Sequence, residues 1–236
     1  MMQPLADGDH GKVVAAVTIA AGIISYASLV VGMAPADFDF EAFSEAATFI
    51  ALGADASTPV QWGLWLSMFG SYLLMIPVAL FLFRWLRRDG RSTADLSTAA
   101  AGLYILLGAA GASVMASTLP NLMELYDSAG AADRAALLSD FDFARRIAED
   151  GLQGVVQNVA GATWFLGIGS LLRRHVGLLG GLAMVVGAFL VLNAIGIMID
   201  VEALRLIGLT GNVLLAPAWA IGLGARMLRS PLTSST

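Results

Sequence analysis

Six runs of about twenty mostly apolar residues follow one another along the chain, separated by segments in which charge gathers. A helix needs about 20 such residues to cross the hydrocarbon core of a bilayer. The pattern predicts spans at roughly Val13–Ala34, Gln61–Phe83, Asp95–Leu119, Gly151–Leu172, Val176–Ile199 and Leu204–Leu228. Trp62 and Trp65 stand at one end of the second span and Trp85 at the other, where aromatics meet the membrane interface. Pro77 and Pro217 fall inside spans and predict local bends. The segment Ala34-Pro35-Ala36 resembles a signal-peptide cleavage site. The apolar run before it is longer than an h-region, so a retained helix is expected.

Two of the connecting segments, 35–60 and 120–150, are long, and the third on that side, Asp200–Ala203, is tight. Links on the other side are short. The expected fold is therefore all-α, a single six-helix transmembrane domain over 1–236 arranged as three hairpins. Short amphipathic helices are expected in both long loops. In the first loop Phe40, Phe43, Ala47 and Ile50 recur at helical spacing while Asp39, Glu41 and Glu45 face elsewhere. In the second, Ser139 is positioned to cap a helix running through Phe141, Ala144 and Ala148.

Basic residues orient the spans. Lys12, Arg84, Arg87, Arg88, Arg91, Arg173, Arg174, Arg226 and Arg229 share one side, nine of the 13 Lys and Arg. The other four, Arg134, Arg145, Arg146 and Arg205, lie in segments holding 14 of the 18 acids. The first side is expected to be cytoplasmic, with both termini there.

Composition narrows the chemistry. Hydrophobic residues make up 58% and charged residues 13%, against roughly 25% charged in a soluble domain. The 26 glycines suit close packing of membrane helices. Gly108, Gly111 and Ala112 form one small-residue surface, and Gly177, Gly180, Gly181 and Gly187 offer others. A net charge of −5 provides no basic face for nucleic acid. Without cysteine, thiolate metal sites, disulfides and iron–sulfur clusters are excluded. His10 and His175 both fall at the edge of the basic side, too far from any span centre to ligate a haem or serve an intramembrane serine protease. Lys12 sits at a helix end, which excludes a mid-membrane Schiff base. No acid lies deep in a span, which argues against a proton pump. No cofactor and no metal are expected.

What remains is a set of amides. Asn158, Asn193 and Asn212 each lie about seven residues inside their helix, so at about 1.5 Å per residue they share a depth near 10 Å. Gln157 is a fourth. Amides in lipid are costly unless bonded, so these four should face inward, as glue between helices or as a polar pocket. The tetrapeptide Asp-Phe-Asp-Phe occurs at 37–40 and 140–143. In extended form it would align acids on one side for a hard cation, but the two copies are not equivalently placed.

The returning spans, with Asn158 and Trp164 or Asn212 and Trp219 ahead of Gly-x-Gly and a basic stop, together with the amphipathic loops, give a chain that resembles a family of bacterial six-span integral membrane proteins of unknown function. The resemblance implies a bacterial inner-membrane address and no catalytic residues. Three functions are open. An accessory or structural protein that binds membrane lipids or a protein partner comes first, because reactive groups are scarce. A small-solute transporter or channel subunit, with the amide layer open to the outer face, is the alternative. A membrane enzyme acting on lipid through Glu124, Asp127, Asp200 and Glu202 comes last.

Overall fold

The computed structural model of the protein describes residues 8–39, 43 and 45–229, and among these it contains helices and no strand. Helix α1 spans Gly8–Met33 and ends in a 3-10 turn, Ala34–Ala36. The short α2, Ala46–Ile50, precedes α3, Ala54–Ser67, a π-helical segment, Met68–Leu73, and α4, Met75–Leu86. Then come α5, Arg91–Ser128, α6, Ala131–Arg146, a second π segment, Ile147–Leu152, and α7, Val155–Leu172. The last two helices are α8, Gly177–Met198, and α9, Glu202–Arg229. Six of these helical stretches are long and apolar enough to cross a membrane, α3 with α4 and α6 with α7 each counting as one.

The long helices overrun the apolar segments that define them. At 38 residues, α5 extends for about 57 Å, well past a hydrocarbon core of about 30 Å. The segment 120–150 is therefore mostly helix, with one turn at Ala129 and Gly130. Ser139 caps nothing. It lies within α6, which starts eight residues earlier behind Gly130, because the alanine-rich Ala131–Leu138 is itself a good helix former. Phe40 and Glu41 of the first loop lie outside the described residues. Gly53, ahead of α3, has φ +74°, a left-handed conformation that glycine adopts without steric cost.

Proline explains the first π segment. Pro77 cannot donate to the carbonyl of Leu73, and its ring would press on that group in a regular α-helix. The backbone widens just before it, and Leu74 N–H donates to Phe69 O, five residues back, over 2.9 Å. Pro217 lies inside α9, and near it Tyr26 on α1 donates its hydroxyl to Leu214 O at 2.6 Å. A neighbouring helix thus supports backbone around the proline, as lipid could not.

Each long helix packs on its sequence neighbours, and α1 also packs on α9, so α1, α3, α5, α7, α8 and α9 close a ring. Two apolar cores fill its ends. The one towards the arginines, here the arginine end, includes Leu82, Trp85, Trp164, Phe165, Leu172 and Trp219. The other, towards α2 and α6 and here the loop end, includes Phe49, Ile50, Met115, Leu119, Met123 and Phe141. Small residues set the helix spacing. A Cβ at Gly208 of α9 would run into the α8 backbone at Phe189 and Asn193, and one at Gly108 of α5 into the Tyr72 ring. Gly180 and Gly187 likewise press on Arg173 and Leu166. Gly177 and Gly181 meet nothing within 4 Å, so only half of the small-residue pattern on α8 faces a neighbour.

A cavity inside the helix ring

Between the two apolar cores lies a cavity of about 330 Å³ lined by all six members of the ring. Asn158, Asn193, Asn212 and Gln157 all border it. The amide of Asn158 is held at the start of α7, where the helix leaves the second π segment. Its Nδ2 donates to Gly154 O at 2.9 Å and to Gln153 O at 3.0 Å. Across the gap, Asn193 Nδ2 on α8 donates to Asn158 Oδ1 at 3.1 Å. Gln157, Asn158 and Asn193 are all buried. Asn212 on α9 borders the same space, and its Oδ1 has no protein partner.

The opposite wall carries hydroxyls. Ser71 Oγ donates to Ser25 Oγ at 3.1 Å, and Ser25 in turn donates to Ala21 O at 2.8 Å, which ties the first π segment to α1. Tyr72, from the same segment, stands against Tyr104 of α5 with ring centroids 5.5 Å apart. Gln153 donates its Nε2–H to Gly108 O at 2.8 Å, joining the second π segment to α5. Towards the arginine end the cavity stops at an aromatic stack. Trp164 and Phe165 lie 4.7 Å apart, and Trp219 packs edge-on to Phe165 at 5.2 Å.

Towards the loop end the lining turns apolar except for Glu149. Its carboxylate lies 3.3 Å from Arg145 Nη1 and 3.8 Å from Arg205. Arg145 Nη1 also donates to Phe43 O at 3.2 Å, and Arg205 pairs with Asp150 at 3.2 Å. One guanidinium therefore links α6, the π segment and the loop that carries α2.

Other candidates fall elsewhere. Glu124 accepts a hydrogen bond from Ser57 at 2.9 Å. Asp140 to Phe143 form part of α6, so acids and rings do not alternate there: Phe141 is buried, Phe143 is exposed, and Asp142 pairs with Arg145 and Arg146. Asp37 and Phe38 adopt left-handed conformations, and Phe40 lies outside the described residues. Among the described residues, no three His, Asp or Glu gather as a metal site would require. His175 pairs with Asp89 at 2.7 Å and packs on Trp85.

Sequence reasoning missed Gln153, Glu149, Tyr72, Tyr104 and the serine wall. Ser25 with Ser28, and Ser67 with Ser71, do stand at the three- and four-residue spacings of one helix face, a signal available in the sequence. The chain matches no protein-family model, no curated protein and no solved structure.

Proposed function

We propose that this chain is a multi-pass membrane protein that binds a small molecule in the cavity enclosed by its helices. The observation that carries the reading is convergence: buried polar side chains from different helices meet in one space of about 330 Å³. That size falls within the roughly 300–1,000 Å³ of small-molecule sites, and a mostly apolar wall with a few placed polar groups is their usual make-up. Glue between helices would need the amides alone and no shared space. The aromatic stack at the arginine end favours binding over conduction, since a through-path would have to displace Trp164, Phe165 and Trp219. The accessory role, presenting a bound lipid or solute to a partner in the membrane, fits such a site. Transport is the second reading, favoured by the two π segments that border the cavity, because interrupted helices are where transporters hold substrate.

In the membrane, the nine Lys and Arg of the arginine end lie in the cytoplasm with both termini. The spans form three hairpins, and α2 and α6 cover the mouth at the outer face of a bacterial inner membrane. The test is native mass spectrometry of protein extracted gently into nanodiscs. A small molecule retained at one per chain is expected, and Ser67→Trp, which fills the cavity, should remove it. Identical spectra for the two proteins would overturn the reading.

A further inference from the structure

We infer that the arginine end carries a site for one anionic phospholipid, its phosphate seated where the link between α4 and α5 meets the link between α7 and α8. The site lies outside the cavity and is independent of what fills that space. The two links, residues 87–90 and 173–176, are joined at several points. His175 Nε2 pairs with the Asp89 carboxylate at 2.7 Å, and Arg174 Nη1 donates to Asp89 O at 3.0 Å. Trp85, in the last turn of α4, packs on the His175 ring with centroids 5.0 Å apart. Gly90 lets the links close, since a Cβ there would lie 2.9 Å from Leu171 Cδ2. Asp89 thus holds Arg174 of one link beside Arg88 of the other.

Cations outnumber acids at this seam. Arg84, Arg87, Arg88, Arg91, Arg173 and Arg174 face only Asp89 and Asp95. Asp95 is shared by Arg87 at 2.9 Å and Arg91 at 3.8 Å, and Asp89 is taken by His175. Among the described residues, Arg84 and Arg88 meet no acid. Arg173 and Arg174 reach neutral atoms, Met184 Sδ at 3.9 Å and the Asp89 carbonyl. At the loop end, by contrast, Arg145, Arg146 and Arg205 each pair with a carboxylate. Arg88 and Arg174 are exposed, so their guanidinium forks are open to phosphate oxygens. The flanks point to a lipid as the source of that phosphate. Leu178, three residues past His175, is 84% exposed, and Leu96, next to Asp95, is 64% exposed. A soluble anion would leave both bare, whereas a phospholipid lays its acyl chains over them. Basic seams between membrane helices are where anionic headgroups bind, and a choline headgroup would bring its own cation against the arginines.

The test uses delipidated protein in neutral detergent, with native mass spectrometry to count bound lipid. The probes are dioleoylphosphatidylglycerol, dioleoylphosphatidylcholine and glycerol 3-phosphate. One phosphatidylglycerol per chain is expected, bound at least about ten-fold more tightly than phosphatidylcholine and not displaced by excess glycerol 3-phosphate. Arg88→Gln and Arg174→Gln should each weaken phosphatidylglycerol binding about five-fold. Both side chains are exposed, so phosphatidylcholine binding and the thermal midpoint of the lipid-free protein should not change. Arg229→Gln removes the same charge at the same end of the molecule but on α9, outside the two links, and should change phosphatidylglycerol binding less than about two-fold. Equal binding of the two lipids would overturn the proposal. So would an equal loss from Arg229→Gln, which would mean a diffuse attraction to the whole arginine end. Displacement by glycerol 3-phosphate would mean a site for a soluble anion and would overturn it as well.

Discussion

Asn158 and Asn193 share one hydrogen bond, yet replacing them should have unequal consequences. Asn158→Leu removes three bonds: two donated to Gln153 O and Gly154 O, and one accepted from Asn193. Side-chain bonds between membrane helices contribute about 0.6–2 kcal/mol each. The change also leaves both ends of the buried Asn193 amide without partners, where one already lacks a donor. The expected loss is about 2–4 kcal/mol. Asn193→Leu removes a single bond and orphans Asn158 Oδ1, but it also removes the unpaired Asn193 Oδ1. These effects nearly cancel, so this variant should stay within about 1 kcal/mol of the parent. The double variant should be no less stable than Asn158→Leu alone, because the second change removes the stranded amide. Reversible unfolding of ligand-stripped protein in mixed micelles, titrated with a denaturing detergent, measures all three. Equal losses from the two single variants, or a double variant clearly less stable than Asn158→Leu alone, would refute the directional account of this pair.

Three further outcomes are expected. Gly108→Leu should lower stability by about 1–3 kcal/mol, since its side chain would enter the Tyr72 ring, while Gly181→Leu, facing open space, should leave the midpoint of the same titration unchanged. In this cysteine-free chain, a cysteine at the exposed Ser128 should react with a membrane-impermeant thiol reagent on intact cells and one at the exposed Ser92 should not; the reverse would invert the proposed orientation. Glu149→Leu should cost about 1–2 kcal/mol and speed amide exchange in α6, because it leaves the mostly buried Arg145 with fewer partners; Asp150→Leu, whose ion pair is with the more exposed Arg205, should do neither.

Much of this arrangement can be read from residue order. Bilayer thickness forces every span into one length class, so the six membrane-capable helices stand out from the apolar runs alone. Counting rise per residue puts Asn158, Asn193 and Asn212 at one depth, and in the structure all three border one cavity, the first two in direct contact. Helix ends were harder. Ser139 ahead of Phe141 looks like a cap, but capping contributes about 1 kcal/mol and does not stop a helix already running through alanines. The glycines of α8 illustrate a different limit. Gly177, Gly180, Gly181 and Gly187 look alike in sequence, and only the seating of α8 against α7 shows that Gly180 and Gly187 are the pair in contact.

The least legible feature is the alignment of Glu149 with the amides, and its cause lies in the second π segment and in the break of the helix at Gln153 and Gly154 that follows it. In an uninterrupted α-helix each residue turns about 100°, so the nine steps from Glu149 to Asn158 amount to about 900° and leave the two on opposite faces. A π segment holds one extra residue in its turn, here marked by Gln153 N–H donating to Ala148 O at 2.8 Å, five residues back. At Gln153 and Gly154 the backbone then leaves the helical region, with ψ 5° and −136°, so α7 begins on a new phase and both side chains border the cavity. A heptad reading misses this because it assumes an unbroken period. Deleting Gly151 should therefore shorten the link between α6 and α7 and move Arg145 and Glu149 out of register with α7. Gly151→Ala is the control, since a Cβ there meets only Arg146 O at 3.8 Å. The deletion should break the Arg145 bond to Phe43 O and the contact of Glu149 with Arg205, lowering stability by more than about 2 kcal/mol, while the alanine variant unfolds like the parent. If the deletion is as stable as Gly151→Ala, the extra residue is not what aligns the acid with the amide layer.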